Sequence, residues 1–422
     1  MKQYRIISLI LLLLLSLTAC GKKKGEAGQK NVGGQPGAKG ANDKGFYCSA
    51  FLGSGFATEN FVLYHNNKGR LQVFDVTSGT DIVYCFDPGC EHNQTLRDFR
   101  NNEVIRQGCI SYEISSKPVM MKGDNLFFLS DSGEVWQSDH QGGNRKLIGQ
   151  IPTYMAYGSG DVFFSNDVLF DCYFTDQEII ELKDEDGNSQ WVVGNLKDKS
   201  SCSIVRVNLF DGVCREIFSV EEYNARISNR DIRGDHLYFQ YFYLDCPYVG
   251  PDLETYGRDI SIPKGLTAEN YWEEMPKHQW MDIYDYNIKS DELRVILKGL
   301  PSDTTVFCKD FFAVADRGGS TKLYRYDGEL FHTLPFRMHK GIRSDSNLVC
   351  IGETPEEYMM IDENTGEVLK KTTVRYTDFL PEVIIGGSCY GLKNNSGVGY
   401  LQAEEFWSGN ISRAVMFKVE EE

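Results

Sequence analysis

Along residues 46–422 the hydrophobic positions fall in short runs, and the runs repeat. One phrase recurs: a Gly-Asp turn, an apolar strand, a polar turn, then an alternating strand closed by an Asp/Asn-Gly hairpin. Its first half reads Gly123-Asp124-Asn125-Leu126-Phe127-Phe128, and again Gly160-Asp161-Val162-Phe163-Phe164 and Gly234-Asp235-His236-Leu237-Tyr238-Phe239. Weaker copies start at Lys309, Asp345 and Gly387. The second half appears at 71–84, 134–148, 203–218, 282–297, 322–334 and 358–370, with a degenerate copy at 411–419. Asp or Asn before Gly supplies the positive backbone angles of tight hairpins, and period-two alternation marks half-buried strands.

Units of this length, each too small to bury its own faces, predict an all-β chain folded as a β-propeller. The phrase predicts seven blades of about four antiparallel strands, near 57–116, 117–150, 151–222, 223–300, 301–336, 337–372 and 373–419. Counts of six or eight stay open, because the long units could each hide a split, and a β-sandwich or solenoid is the structural rival. The stretch Phe46 to Phe56 reads as an extra strand that completes the final blade. Composition agrees with many strands and turns: 25 Phe, 23 Tyr and 41 Gly against 12 Pro.

The N-terminus departs from this pattern. Lys2 and Arg5 precede an apolar run from Ile6 to Leu17, short for a membrane span and suited to a secretory signal. Leu17-Thr18-Ala19-Cys20 closes it and resembles the lipobox of bacterial lipoprotein precursors. The resemblance implies cleavage before Cys20 and acylation of its thiol, with palmitate-type chains each adding about 0.8 kcal/mol per buried CH₂. The expected organisation is therefore a signal peptide (1–19), a lipidated Cys20 with a Gly/Lys-rich tether (20–45) and the propeller domain (46–422). The expected location is the extracytoplasmic face of the cell membrane, held to the bilayer through Cys20. An ordinary cleaved signal with a chance cysteine is the bland alternative.

Charge sharpens the picture. Six lysines against Glu26 and Asp43 leave residues 21–45 at +4, and Lys2 and Arg5 add +2. The formal −16 of the whole chain then puts −22 on residues 46–422. A basic tether suits an anionic lipid surface, or simply keeps itself soluble. The acidic body argues against nucleic acid as a partner.

Phrases of the kind LYRYDG and GDxLYF, taken with the lipobox, resemble lipid-anchored β-propeller proteins of unknown function from Clostridia-type bacteria. They are more loosely similar to low-density-lipoprotein-receptor-like and TolB-like propellers. These phrases specify architecture and not chemistry.

Two segments could carry chemistry. Cys85, Cys90, His92 and Cys109 form a candidate metal set, a structural zinc held by three thiolates and an imidazole. The resemblance implies a Cys-x4-Cys-x-His segment after the first blade without saying what it binds. A disulfide or plain structural thiols is the reading these residues favour over zinc, and a redox or catalytic role is a third; the second knuckle of a zinc ribbon is missing. The remaining cysteines fall in or beside apolar strands, where a thiol packs as a small hydrophobe. The insertion 246–280 gathers Tyr248, Tyr256, Tyr271, Trp272 and Trp280 with Asp252, Glu254, Glu273 and Glu274. Thr267 is a candidate cap for a short helix there. Aromatics with carboxylates suit a sugar- or peptide-binding surface, or else a plug in one mouth of the propeller. The insertion 172–200 carries Asp184-Glu185-Asp186-Gly187, which lacks the spacing of a calcium loop and reads as a hairpin tip.

There is no Gly-x-Ser-x-Gly elbow, no His-Glu-x-x-His and no phosphate-cradling loop. The expected function is a binding or scaffold module for a cationic, glycan, peptide or protein partner. The alternatives are a glycosidase or lyase using carboxylates at the propeller mouth, and a structural partner in envelope assembly.

Overall fold

The computed structural model describes residues 46–48, 55–65, 70–85, 96–98, 103–106, 119–130, 133–139, 143–151, 159–165, 168–175, 177–183, 189–195, 199–246, 271–301, 304–345, 347–352, 354–362, 364–393 and 397–417. The first sheet orders β1 (Phe46–Cys48), β2 (Gly55–Ala57), β3 (Phe61–His65), β4 (Leu71–Asp75) and β5 (Thr80–Val83), and the hairpin β6 (Leu96–Asp98)–β7 (Glu103–Arg106) follows it. The second sheet is β8 (Val119–Lys122), β9 (Asn125–Leu129), β10 (Glu134–Asp139) and β11 (Lys146–Gln150). The third contains β12 (Ser159–Ser165) and β13 (Val168–Thr175); the hairpin β14 (Gln177–Lys183)–β15 (Ser189–Asn195) interrupts it before β16 (Ser200–Asn208).

A single long strand, β17 (Cys214–Arg233), serves two sheets. Its first half pairs with β16 up to Ser200↔Glu222, and its second half pairs with β18 (His236–Leu244) from Tyr223↔Leu244 onward. After the helix α1 (Tyr271–His278), β19 (Gln279–Asn287) and β20 (Glu292–Leu300) complete the fourth sheet. The fifth is β21 (Thr305–Phe307), β22 (Phe311–Ala315), β23 (Thr321–Arg325) and β24 (Leu330–Leu334). The sixth is β25 (Lys340–Ser344), β26 (Leu348–Ile351), β27 (Glu357–Ile361) and β28 (Val368–Thr373). The last is β29 (Phe379–Ile385), β30 (Ser388–Lys393), β31 (Gly397–Gln402) and β32 (Val415–Met416), with the short helix α2 (Ala403–Trp407) before β32. Among the described residues no helix is long and apolar enough to cross a membrane.

The repeated phrase maps onto this grammar. Gly123 and Gly234 sit at φ +59° in the turn between the first and second strands of their sheets, a conformation that favours glycine. The second half of the phrase forms the third and fourth strands. Its turns are tied by a carboxylate: Asp75 Oδ1 accepts from the Ser78 amide at 2.8 Å, and Asp362 Oδ1 accepts from the Asn364 and Thr365 amides at 2.8 Å.

Both faces of most sheets are buried, and they pack in a ring. On β18, Leu237, Phe239 and Tyr241 join Cys202 and Phe218 of the third sheet, whereas Tyr238 and Phe242 join Phe312 and Val314 of the fifth. Phe311, Ala313 and Leu323 then meet Cys350 and Met359 of the sixth sheet. Ile342 and Tyr358 of the sixth meet Phe379 and Leu401 of the last. The first sheet packs on the second and third through Leu63, Val73, Phe128 and Val205. The last sheet returns to the first: Val383, Tyr390 and Phe417 pack with Tyr64 and Phe74. Across that junction Tyr390 donates to the Thr58 carbonyl at 2.9 Å, and Ser388 to the Glu59 carbonyl at 2.8 Å. Consecutive four-strand meanders whose last member packs against the first make this an all-β propeller fold. First strands lie side by side, with β25 and β29 pairing in parallel at Arg343↔Val383 and Ser344↔Ile384.

Two expectations change. Strand β1 pairs with β2 in the first sheet and not with the final sheet, so among the described residues the ring closes by side-chain contacts and not by a shared strand. In the third unit Gly160-Asp161 lies inside β12, where the register shifts between Ser159 and Val162, so the phrase falls on the first strand and not on the turn after it.

Candidate functional site

The insertion of the fourth sheet leaves β18 at Leu244 and returns through α1 into β19. Its neck is tied by the Asp245 amide, which donates to the His278 carbonyl at 3.0 Å. Lys277 and His278 occupy the last turn of α1, where positive charge complements the helix dipole. Below the neck, antiparallel register sets Tyr243 opposite Trp280, Tyr241 opposite Asp282 and Phe239 opposite Tyr284 on one face. The result is a carboxylate set among aromatic rings. Tyr241 stacks on Tyr243 with centroids 5.3 Å apart, and Phe239 on Tyr284 at 5.2 Å.

Asp282 is buried. Its Oδ1 accepts from the Gly299 amide at 2.8 Å and from the Tyr243 hydroxyl at 3.4 Å. Burial pushes this carboxyl above the ordinary aspartate range, partly offset by the Gly299 hydrogen bond and Lys298. Tyr243 is pushed up to about 12, first by burial and then by the Asp282 charge. The Tyr241 hydroxyl is buried with no hydrogen-bond partner among the described residues. A buried hydroxyl left without a partner is costly.

At the rim, His278 Nδ1 lies 2.7 Å from Asp245 Oδ1, and Trp280 Nε1 donates to Asp245 Oδ2 at 2.9 Å. The buried Cys246 completes a group in which one donor atom each from Asp245, Cys246 and His278 lies within 4.8 Å of the others.

A second polar cluster lies on the first strands. Arg233 pairs with Asp231 at 2.6 Å and donates to the Phe307 and Ser344 carbonyls at 3.0 and 3.2 Å. Arg343 donates to the Arg230 carbonyl at 2.8 Å, and Lys340 holds Glu382 at 2.7 Å. Burial raises the Glu382 carboxyl, with Lys340 and Arg343 opposing. These contacts strut the fourth, fifth, sixth and last sheets against one another.

Of the residues singled out from sequence, Trp280 is in the site described above. Tyr271 and Trp272 lie on α1, with Thr267 outside the described residues. Cys20, Cys90, His92, Cys109, Tyr248 and Tyr256 also lie outside them. Cys85 is half-buried and packs against the core of the first and second sheets. Cys202, Cys246, Cys350 and Cys389 are buried free thiols, as expected of cysteines in apolar strands. The hairpin expected within 172–200 is β14–β15, with Lys183 paired to Ser189, and Asp184-Glu185-Asp186-Gly187 at its tip lies outside the described residues. Asp245, His278, Tyr243 and Asp282 are not marked as site residues by the sequence, and Cys246 reads there only as a packing thiol. Their signal in sequence is that they lie at or beside the two ends of the aromatic insertion.

No protein-family model matches the sequence, and no curated protein matches it. Solved structures similar in fold include acylaminoacyl peptidase from Pyrococcus horikoshii (11% identity, TM-score 0.45, covering 86% of this chain and 50% of that one). A chain of a mitotic checkpoint complex is similar at 9% identity and TM-score 0.44, over 92% and 99% of the two chains. BamB from Moraxella catarrhalis is similar at 8% identity and TM-score 0.38, over 81% and 82%. At these scores the fold rests on the strand order and the ring of cores.

Proposed function

We propose that this chain is a seven-bladed, lipid-anchored propeller on the extracytoplasmic face of a bacterial membrane, and that it binds glycan at the end of its fourth sheet. The anchor reading is supported by the lipobox-like Leu17–Cys20 and the basic tether. The ligand class is carried by one observation: a buried carboxyl, Asp282, beside an orphan Tyr241 hydroxyl in a field of stacked tyrosines, with half-buried Trp280 at the rim. Sugars use both features, stacking C–H faces on rings and directing hydroxyls to carboxylates.

The test is an oligosaccharide array with the full chain in detergent, followed by calorimetric titration of the hits. Trp280→Ala should weaken binding about tenfold, which corresponds to about 1.4 kcal/mol. Binding of polyamines or basic peptides with no glycan would reassign the site to cations, and no binding of either would sink it. For the anchor, Cys20→Ala should abolish labelling by palmitate and release the protein from membranes.

The raised Glu382 carboxyl favours a second reading, an acid catalyst acting on a glycoside. Its clamp by Lys340 argues for a structural role. Glycan turnover lost in Glu382→Gln would favour the enzyme.

A further inference from the structure

We propose that Asp245, Cys246 and His278 form a divalent-metal site of zinc type, which borders the aromatic face at Trp280 and does not rest on what that face binds. The three side chains come from the two ends of the insertion, 32 residues apart between Cys246 and His278, and the neck of the β18–β19 hairpin brings them together. Thiolate, imidazole and carboxylate are the donors that zinc prefers. With zinc bonds of about 2.0–2.3 Å and tetrahedral angles, ligand atoms stand about 3.3–3.6 Å apart. The three donor atoms already lie within 4.8 Å of one another, so side-chain rotations of about 1 Å reach that geometry.

The metal takes the place of the proton between His278 Nδ1 and Asp245 Oδ1, now 2.7 Å apart, and that proton leaves to Nε2 of the same ring or to solvent. Binding ionises the Cys246 thiol, whose proton passes to solvent. Trp280 Nε1 on Asp245 Oδ2 then acts as the outer-shell donor that fixes the carboxylate. Asp245 is exposed and His278 half-exposed, which gives the ion an entry path and leaves a fourth position for water or a ligand atom. The site differs from the Cys85/Cys90/His92/Cys109 set, with which it shares no residue.

The full chain in detergent, reduced anaerobically and stripped with chelator, is titrated with Co²⁺ and then competed with Zn²⁺. One Co²⁺ per chain is expected, with a sulfur-to-cobalt charge-transfer band that is absent in Cys246→Ser. His278→Ala, on a half-exposed residue that tolerates change, should lower cobalt affinity at least tenfold and carries the test should Cys246→Ser fail to fold. Trp280→Phe keeps all three ligands and should weaken binding about 10–100-fold. No metal uptake would overturn the proposal. So would a charge-transfer band that survives Cys246→Ser, or one that disappears in Cys90→Ser instead.

Discussion

Replacing Phe417 by Ala removes a ring supplied by the end of the chain from a pocket built by its beginning. Phe417 is 3% exposed, stacks on Phe74 with centroids 4.3 Å apart, and leans on Tyr64 at 4.8 Å. A buried aromatic side chain hides about 150–250 Å². At about 25 cal/mol per Å² that is roughly 4–6 kcal/mol before relaxation. Buried Phe→Ala changes cost about 3–5 kcal/mol. Collapse of the cavity is restrained here, because the Tyr64 hydroxyl is held by Gln72 at 2.7 Å and Asp81 at 2.8 Å. The expected loss is therefore about 3–5 kcal/mol in urea unfolding, coupled to Phe74→Ala by about 1–2 kcal/mol in a double-mutant cycle. Hydrogen exchange should accelerate in Phe61–His65 and Leu71–Asp75, far away in sequence from the substitution. A loss below about 1 kcal/mol, or exchange that changes only in the last sheet, would refute closure of the ring through this junction.

Gly341→Ala tests the approach of first strands: a Cβ there would collide with the Val306 side chain, so a loss of about 1–3 kcal/mol is expected, recovered in part by Val306→Ala. Unchanged unfolding in the single variant would count against that contact. Asp282 has a folded pKa above its ordinary 3.8, so its contribution is greatest below that value and falls as pH rises through the folded pKa. Asp282→Asn should remove that fall, and parallel stability–pH curves for the two proteins would contradict the burial argument. Asp316 has the opposite sign, held below 3.8 by the Gly318 amide at 3.0 Å and by Lys322 at 2.5 Å. Its contribution, under about 1 kcal/mol for a partly exposed pair, should be present at neutral pH and vanish as pH falls below 3.8. Asp316→Asn should therefore differ from wild type at pH 7 and converge with it in acid.

Much of the fold is legible because its grammar is local. The boundary read at 222/223 coincides with the point where β17 changes partners, since the alternation of its second half already belongs to the next hairpin. The Asp-x-x-Ser-Gly79 turn and its copy at Gly366 are read from residues within five positions of one another. The errors are non-local or hinge on a single residue. The partner of β1 depends on which sheet edge is open, and Gly160 looks like a turn until the bulge after Ser159 places it in a strand.

The candidate site follows the same division. Trp280 was visible as one aromatic among several, but nothing local distinguishes Asp245, Cys246 and His278 from other acids, thiols and imidazoles. They become a group only when the hairpin neck joins residues on either side of a long insertion. The orphan Tyr241 hydroxyl and the buried Asp282 likewise exist only once the third and fourth sheets close over them.

Sequence by itself determined the strands, the turns that join them and the repeat that stacks them, because pleat period and turn stereochemistry are properties of a few consecutive residues. Tertiary structure alone decided how the ring closes and which polar groups are buried together. Desolvation and ligand geometry depend on what the rest of the chain brings within a few ångströms, and sequence separation does not encode that distance.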